Sequence, residues 1–139
     1  QDYTARLVQT PEQLEAFLKP LSEAGVDIFH CSTRRFWEPE FEGCDLNLAG
    51  WTRKLTGKPT ITVGSVGLDG EFLQFMVKTD KVAQPANIEG LLERLNKAEF
   101  DLVAVGRALI CDPEWAVKVR EGRMQDILPF SREALKTLA

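Results

Sequence analysis

Apolar residues Leu14, Phe17, Leu18 and Leu21 recur at helical spacing, and the spacing predicts a helix with one apolar face. Thr10-Pro11-Glu12-Gln13 ahead of it is a start signal, with Thr10 for the cap, Pro11 for the first helical position and Gln13 to complete a capping box. Pro20 is a candidate kink, and Gly25 supplies a residue that can turn the chain left-handed at the helix end. Val26-Asp27-Ile28-Phe29-His30 reads as a short buried strand, and a long polar and aromatic loop from Thr33 to Gly43 follows it. A loop of that length is a functional candidate.

Asn47 to Leu55 has helical character that ends at Gly57 and Pro59, and the β-branched run Thr60-Ile61-Thr62-Val63 leads straight into Gly64-Ser65-Val66-Gly67. From Phe72 to Val82 periodicity does not choose between an extended insertion and an irregular helix. Ile88, Leu91, Leu92 and Leu95 mark another helix, and Asp101-Leu102-Val103-Ala104-Val105 a strand ending at Gly106-Arg107. Asp112-Pro113 caps a helix with Trp115, Ala116 and Val119 toward a core and Gly122 at its end; Ser131 starts a last one. Strands alternating with helices, each strand apolar throughout, imply a parallel sheet covered by helices, the α/β class. Three strands are too few to close a barrel, and an open parallel sheet leaves edges to cover. Residues 1–139 are therefore expected to form a single but incomplete unit.

Composition narrows the function classes. A net charge of -4 and 44% hydrophobic residues fit a globular chain. No apolar run has the roughly 18 residues of a membrane span, and the start Gln1-Asp2-Tyr3-Thr4 lacks the regions of a signal peptide, so a cytoplasmic protein with no membrane partner is expected. Scattered Lys and Arg and a pI near 5.1 give no nucleic-acid stripe. Cys31, Cys44 and Cys111 are odd in number and outside any metal spacing, so they are expected to be reduced packing residues, with no metal site.

Two strand ends carry the same candidate chemistry: Val63-Gly64-Ser65-Val66-Gly67, and Val105-Gly106-Arg107 one βα unit later. A phosphate dianion needs closely approaching donors, which glycine backbone N–H groups and a forked guanidinium supply. In (β/α)8 barrels the loops after strands seven and eight commonly build such a site. The plainer reading is that Gly64, Gly67 and Gly106 satisfy turns and Arg107 is a surface cation. His30, the one histidine, is expected to be a hydrogen-bonded packing residue rather than a catalyst. Arg34 and Arg35 either border an active-site mouth or pair with Glu38, Glu40 or Glu42. Trp51 and Trp115 are expected as core or interface anchors.

Taken in order, Asp27-Ile28-Phe29-His30-Cys31-Ser32, Arg34 to Gly43, Leu48-Ala49-Gly50-Trp51, Val63 to Leu68 and Val105 to Trp115 resemble the C-terminal portion of bacterial old yellow enzyme homologues, the NADH:flavin oxidoreductases. The resemblance covers nearly the whole chain, and its specificity lies in the order and spacing of the stretches. It implies the C-terminal portion of a TIM (β/α)8 barrel, with residues 26–31, 60–64 and 102–106 as the sixth to eighth strands. It implies further that backbone groups at Gly64, Ser65 and Gly106 and the Arg107 side chain hold the FMN phosphate. Enzymes of this family pass hydride from NAD(P)H through the flavin to the β-carbon of an activated alkene such as an enone. Their substrate-anchoring pair, proton-donor tyrosine and flavin-ring arginine match no position here, so no catalytic residue is expected in this chain.

The expected function is thus the FMN-phosphate-binding segment of an FMN-dependent ene-reductase, whose partner is the N-terminal barrel half. Two alternatives stand beside it. One is a phosphate-binding half barrel of a sugar-phosphate enzyme without flavin. The other is a non-catalytic assembly module that forms homo-oligomers through its exposed edges.

Overall fold

Thr10 caps helix α1 (Pro11–Glu23), its hydroxyl accepting the Gln13 N–H at 3.3 Å. The Gln13 side chain reaches back one residue beyond the cap, where its Oε1 accepts the Gln9 N–H at 2.8 Å. Gly25, at φ 98°, closes the helix end. The computed structural model describes residues 6–70 and 82–136. The undecided stretch from Phe72 lies outside them, apart from Val82.

Strand β1 (Phe29–Ser32) starts later than Val26, because the Val26 N–H is taken by Leu21 O at 3.2 Å in the turn closing α1. Nor is it buried throughout: Cys31 is buried, His30 and Ser32 are exposed, and Ile28 just before it is 41% exposed. Asn47 caps α2 (Leu48–Thr56) by accepting the Gly50 N–H, and Gly57 ends it in the left-handed conformation at φ 65°. β2 (Thr60–Val63) matches the β-branched run residue for residue. α3 (Glu89–Asn96) leads to β3 (Leu102–Val103), shorter than the run suggests. Before β3 the pairing is shared with a side chain: Asp101 accepts the Thr60 N–H at 2.9 Å and the Arg53 Nε at 3.0 Å.

The sheet is parallel, in the order β1-β2-β3, with His30 opposite Ile61 and Cys31 opposite Thr62, and Thr62 in turn opposite Val103. The chain is α/β, a small three-stranded parallel sheet with flanking helices. The buried positions of β2 are Thr60 and Thr62 rather than its aliphatic residues. Thr62 tolerates burial because its hydroxyl accepts from the Asn47 Nδ2 at 3.1 Å.

The chain divides into two compact units, Gln1–Gly64 with Glu89–Ala104, and Ser65–Ile88 with Val105–Ala139. The first, the sheet unit, contains α1, α2, α3 and the three strands. Its main apolar cluster joins Leu14 and Leu18 of α1 to Phe41 and Trp51, the two aromatic rings meeting edge to face at 5.5 Å. The second, the turn unit, contains α4 (Arg107–Cys111), α5 (Trp115–Arg120) and two 3₁₀ helices, Met124–Asp126 and Arg132–Lys136. Its interior is Val66, Leu68, Ala83, Ile88, Ala108, Trp115, Ile127 and Phe130. On α5 the inward residues are Trp115 and Lys118, while Ala116 is exposed and Val119 half-buried. The inward face thus follows the buried ion pair of Lys118 rather than hydrophobicity alone. The last segment is a 3₁₀ helix, not an α-helix. Among the described residues no helix is long and apolar enough to cross a membrane.

Candidate functional site

The turn after β2 is conformationally unusual. Gly64 sits at φ 139°, Ser65 at φ 50° and Gly67 at φ 69°. Within the sheet unit, a Cβ on Gly64 would lie 2.7 Å from Thr33 O and 2.9 Å from Arg35 N, so glycine is required there by the protein's own backbone. The Thr33 hydroxyl donates to Val63 O at 2.6 Å and the Phe36 N–H to Gly64 O at 3.1 Å, which laces the loop after β1 to the end of β2. Ser65 holds a left-handed conformation without being glycine, a costly arrangement that concentrates at binding sites.

Within the turn unit each predicted loop contacts the segment that follows the other. A Cβ on Gly67 would lie 2.9 Å from the Trp115 indole, so the first turn packs on the helix that follows the second. In the other direction, Arg107 Nη2 donates to Gly70 O at 2.9 Å. The Arg107 guanidinium also lies over the Phe130 ring, 5.6 Å from its centroid. Gly106 precedes α4 at φ -101°, and among the described residues only its chain neighbours lie within 4 Å of the place its Cβ would occupy. The structure therefore puts Ser65, Gly106 and Arg107 in one compact unit, with Gly64 as the last residue of the sheet unit before the boundary.

Asp112 organises this region. Its Oδ1 accepts the Glu114 N–H at 3.2 Å, and its Oδ2 accepts Lys118 Nζ at 2.7 Å and the Leu128 N–H at 3.0 Å. Burial pushes its carboxyl up, but the hydrogen bonds from Lys118 and the backbone, together with the Lys118 charge, outweigh burial and hold it below the ordinary aspartate value. Phe130, Gly70 and this ion pair escaped sequence reasoning, since their roles come from tertiary contact. The apolar run Ile127-Leu128-Pro129-Phe130 was the one available signal.

A separate cavity of about 590 Å³ lies in the sheet unit, walled by α1, β1 and the loop after β1, and lined among others by Phe17, Leu21, His30, Arg34 and Glu40. His30 is exposed at this cavity rather than packed. Arg35 pairs with Glu38 at 2.9 Å, as the ion-pair reading has it, and both arginines line the cavity. Burial pushes the Glu40 carboxyl up, with Arg6, 3.4 Å away, offsetting it in part. Burial likewise raises the Cys31 thiol. The three cysteines are free thiols, Cys31 buried and the others half-buried. Trp51 and Trp115 are both buried, 8% and 6% exposed, as anchors should be.

No protein-family profile matches the chain. In sequence it is similar to the NADH oxidase of Thermoanaerobacter brockii, 34% identical over 126 residues, and to the bilirubin reductase of Clostridium symbiosum (strain WAL-14163), 28% identical over 131 residues. The chain resembles a segment of two oxidoreductases. The alignments take in 85% and 86% of this chain but only 16% and 30% of those proteins, so the chain spans less than a third of either relative.

Proposed function

We propose that this chain is the FMN-phosphate-binding segment of an FMN-dependent oxidoreductase of the old yellow enzyme type, the C-terminal portion of a TIM barrel. The observation that carries the reading is that each strand-end turn contacts the segment following the other: Gly67 against Trp115, and Arg107 to Gly70. Parallel strands in sequence order support the barrel, and the two oxidoreductase relatives support the redox class.

The donor set suits a phosphate. Ser65 and Gly106 carry backbone N–H groups at turns, among the described residues only chain neighbours come near the place of a Gly106 side chain, and Arg107 carries a planar guanidinium. In this reading Ser65 and Gly106 bind through the main chain, Arg107 through its fork, and Gly64 sets the conformation that presents the Ser65 amide. When bound, FMN would supply hydride relay from NAD(P)H to an activated alkene such as an enone. This chain's part is to bind and orient; no residue of it is assigned a proton transfer.

The exposed apolar residues of the sheet unit, Leu7, Phe17, Leu21 and Ile28, fit a partner that covers α1 and the β1 edge. The N-terminal barrel half of the same enzyme is the proposed partner, in a cytoplasmic protein.

The test is a fluorescence titration of the protein with FMN beside riboflavin. Saturable FMN binding, weaker for riboflavin and weaker for FMN in Arg107→Ala, is expected. Equal affinities for FMN and riboflavin would remove the phosphate site from the proposal. Binding of a phosphosugar by a colourless complete protein would move it to the flavin-free alternative.

A further inference from the structure

We propose that Phe130 is a positioning residue for the anion site, its ring fixing the plane in which the Arg107 guanidinium meets the phosphate. The inference rests on the reading of Arg107 as a phosphate ligand. Phe130 is 1% exposed, and Arg107 Cζ stands 5.6 Å from its centroid. A guanidinium against an aromatic face is held by the ring quadrupole, more strongly where water is excluded. Donation from Nη2 to Gly70 O at 2.9 Å fixes the direction of the fork. The ring sets the plane and the carbonyl sets the direction, so the side chain's rotamer freedom is removed before an anion arrives, and less of the binding is lost to ordering.

The ring is itself held on two sides. Phe130 and Ala83 exchange backbone hydrogen bonds in an antiparallel bridge, Ala83 N–H to Phe130 O at 2.8 Å and Phe130 N–H to Ala83 O at 2.9 Å. Upstream, the Leu128 N–H donates to Asp112 at 3.0 Å. The Asp112 N–H in turn donates to Ala108 O at 3.0 Å, closing the helix that Arg107 opens. One carboxylate therefore ties the segment carrying the ring to the helix carrying the arginine, and the buried Lys118 keeps it charged.

The experiment is the ratio of FMN to riboflavin affinity in the complete protein, since that ratio isolates the phosphate. Phe130→Leu is expected to lower FMN affinity about three- to tenfold while riboflavin affinity stays constant. Phe130→pentafluorophenylalanine keeps the ring's shape and reverses the charge of its face, so the same loss is expected; it decides the question if Phe130→Leu does not fold. An unchanged ratio in the variants overturns the inference, and so does an equal loss for both ligands, which marks Phe130 as packing only. Arg107→Ala, run alongside, separates the two failures. A ratio that collapses in Arg107→Ala but not at Phe130 overturns the positioning role alone, whereas a ratio untouched by Arg107→Ala overturns the phosphate reading and this inference with it.

Discussion

The two units hold their shape by different means. In the sheet unit, order is repetitive: three strands share a parallel ladder and the helices bury a contiguous cluster against one another. In the turn unit there is no multi-residue strand among the described residues; single bridges, 3₁₀ turns and one buried carboxylate set the geometry. Repetitive pairing spreads stability over many equivalent bonds, whereas the turn unit depends on a few individual contacts. The candidate binding groups Ser65, Gly106 and Arg107 lie in the second kind of structure, where donors can be aimed one at a time.

That contrast can be broken by substitution. Phe100, 1% exposed in the sheet unit, should cost most: Phe100→Ala is expected to lose about 4 kcal/mol in urea unfolding. Asp112→Ala in the turn unit is expected to lose about 3 kcal/mol because it strands a buried Lys118, and Asp112→Ala with Lys118→Met should recover much of it. If the double variant recovers nothing, the backbone bonds to Leu128 and Glu114 matter more than the charge pair. Because the Asp112 carboxyl lies below its unfolded value of about 3.9, its contribution is fully present above that pH and is lost as pH falls through the folded value. An acid titration followed by Trp115 fluorescence should show this loss in the wild type and not in Asp112→Asn.

Smaller effects sharpen the comparison. Gly67→Ala combines a left-handed backbone with a close approach to Trp115 and is expected to cost about 2 kcal/mol, read from the shift in thermal midpoint. Asp101→Ala removes the side-chain acceptor of the Thr60 N–H and one half-exposed ion pair beside a redundant ladder, so about 1 kcal/mol is expected. Asp101 is thus the sheet unit's counterpart of Asp112; equal costs at the two positions would erase the distinction between the units. Thr10→Ala, the loss of a single exposed helix cap, should cost about 1 kcal/mol or less.

Much of the sheet unit was legible from local signals. Thr10, Asn47, Gly25 and Gly57 act at helix ends where their chemistry places them, and the run Thr60 to Val63 is a strand without adjustment. Boundaries moved where a bond outside the ladder competed with propensity: Leu21 O, in the turn closing α1, holds Val26 out of β1, and Asp101 uses its side chain where the expected strand would continue. Two loops of suitable residue types, Gly64-Ser65 and Gly106-Arg107, were legible in the sequence, but the contacts around them were not. Nothing in the sequence pairs Arg107 with Phe130 or Gly70, because those contacts join residues distant along the chain.

The sequence by itself determined the alternation of strand and helix, the caps of α1 and α2, and the glycine turns, since each depends on residues within one turn or one strand of each other, whereas the N-cap position of α5 is Glu114 and not the expected Asp112. Tertiary structure alone decided which polar groups are buried, Thr60, Thr62, Asn47, Asp112 and Lys118 among them. Burial of a polar group costs least where a partner arrives from elsewhere in the chain. Asn47 reaching Thr62 and Lys118 reaching Asp112 are such arrivals, and a hydrophobic pattern carries no record of them.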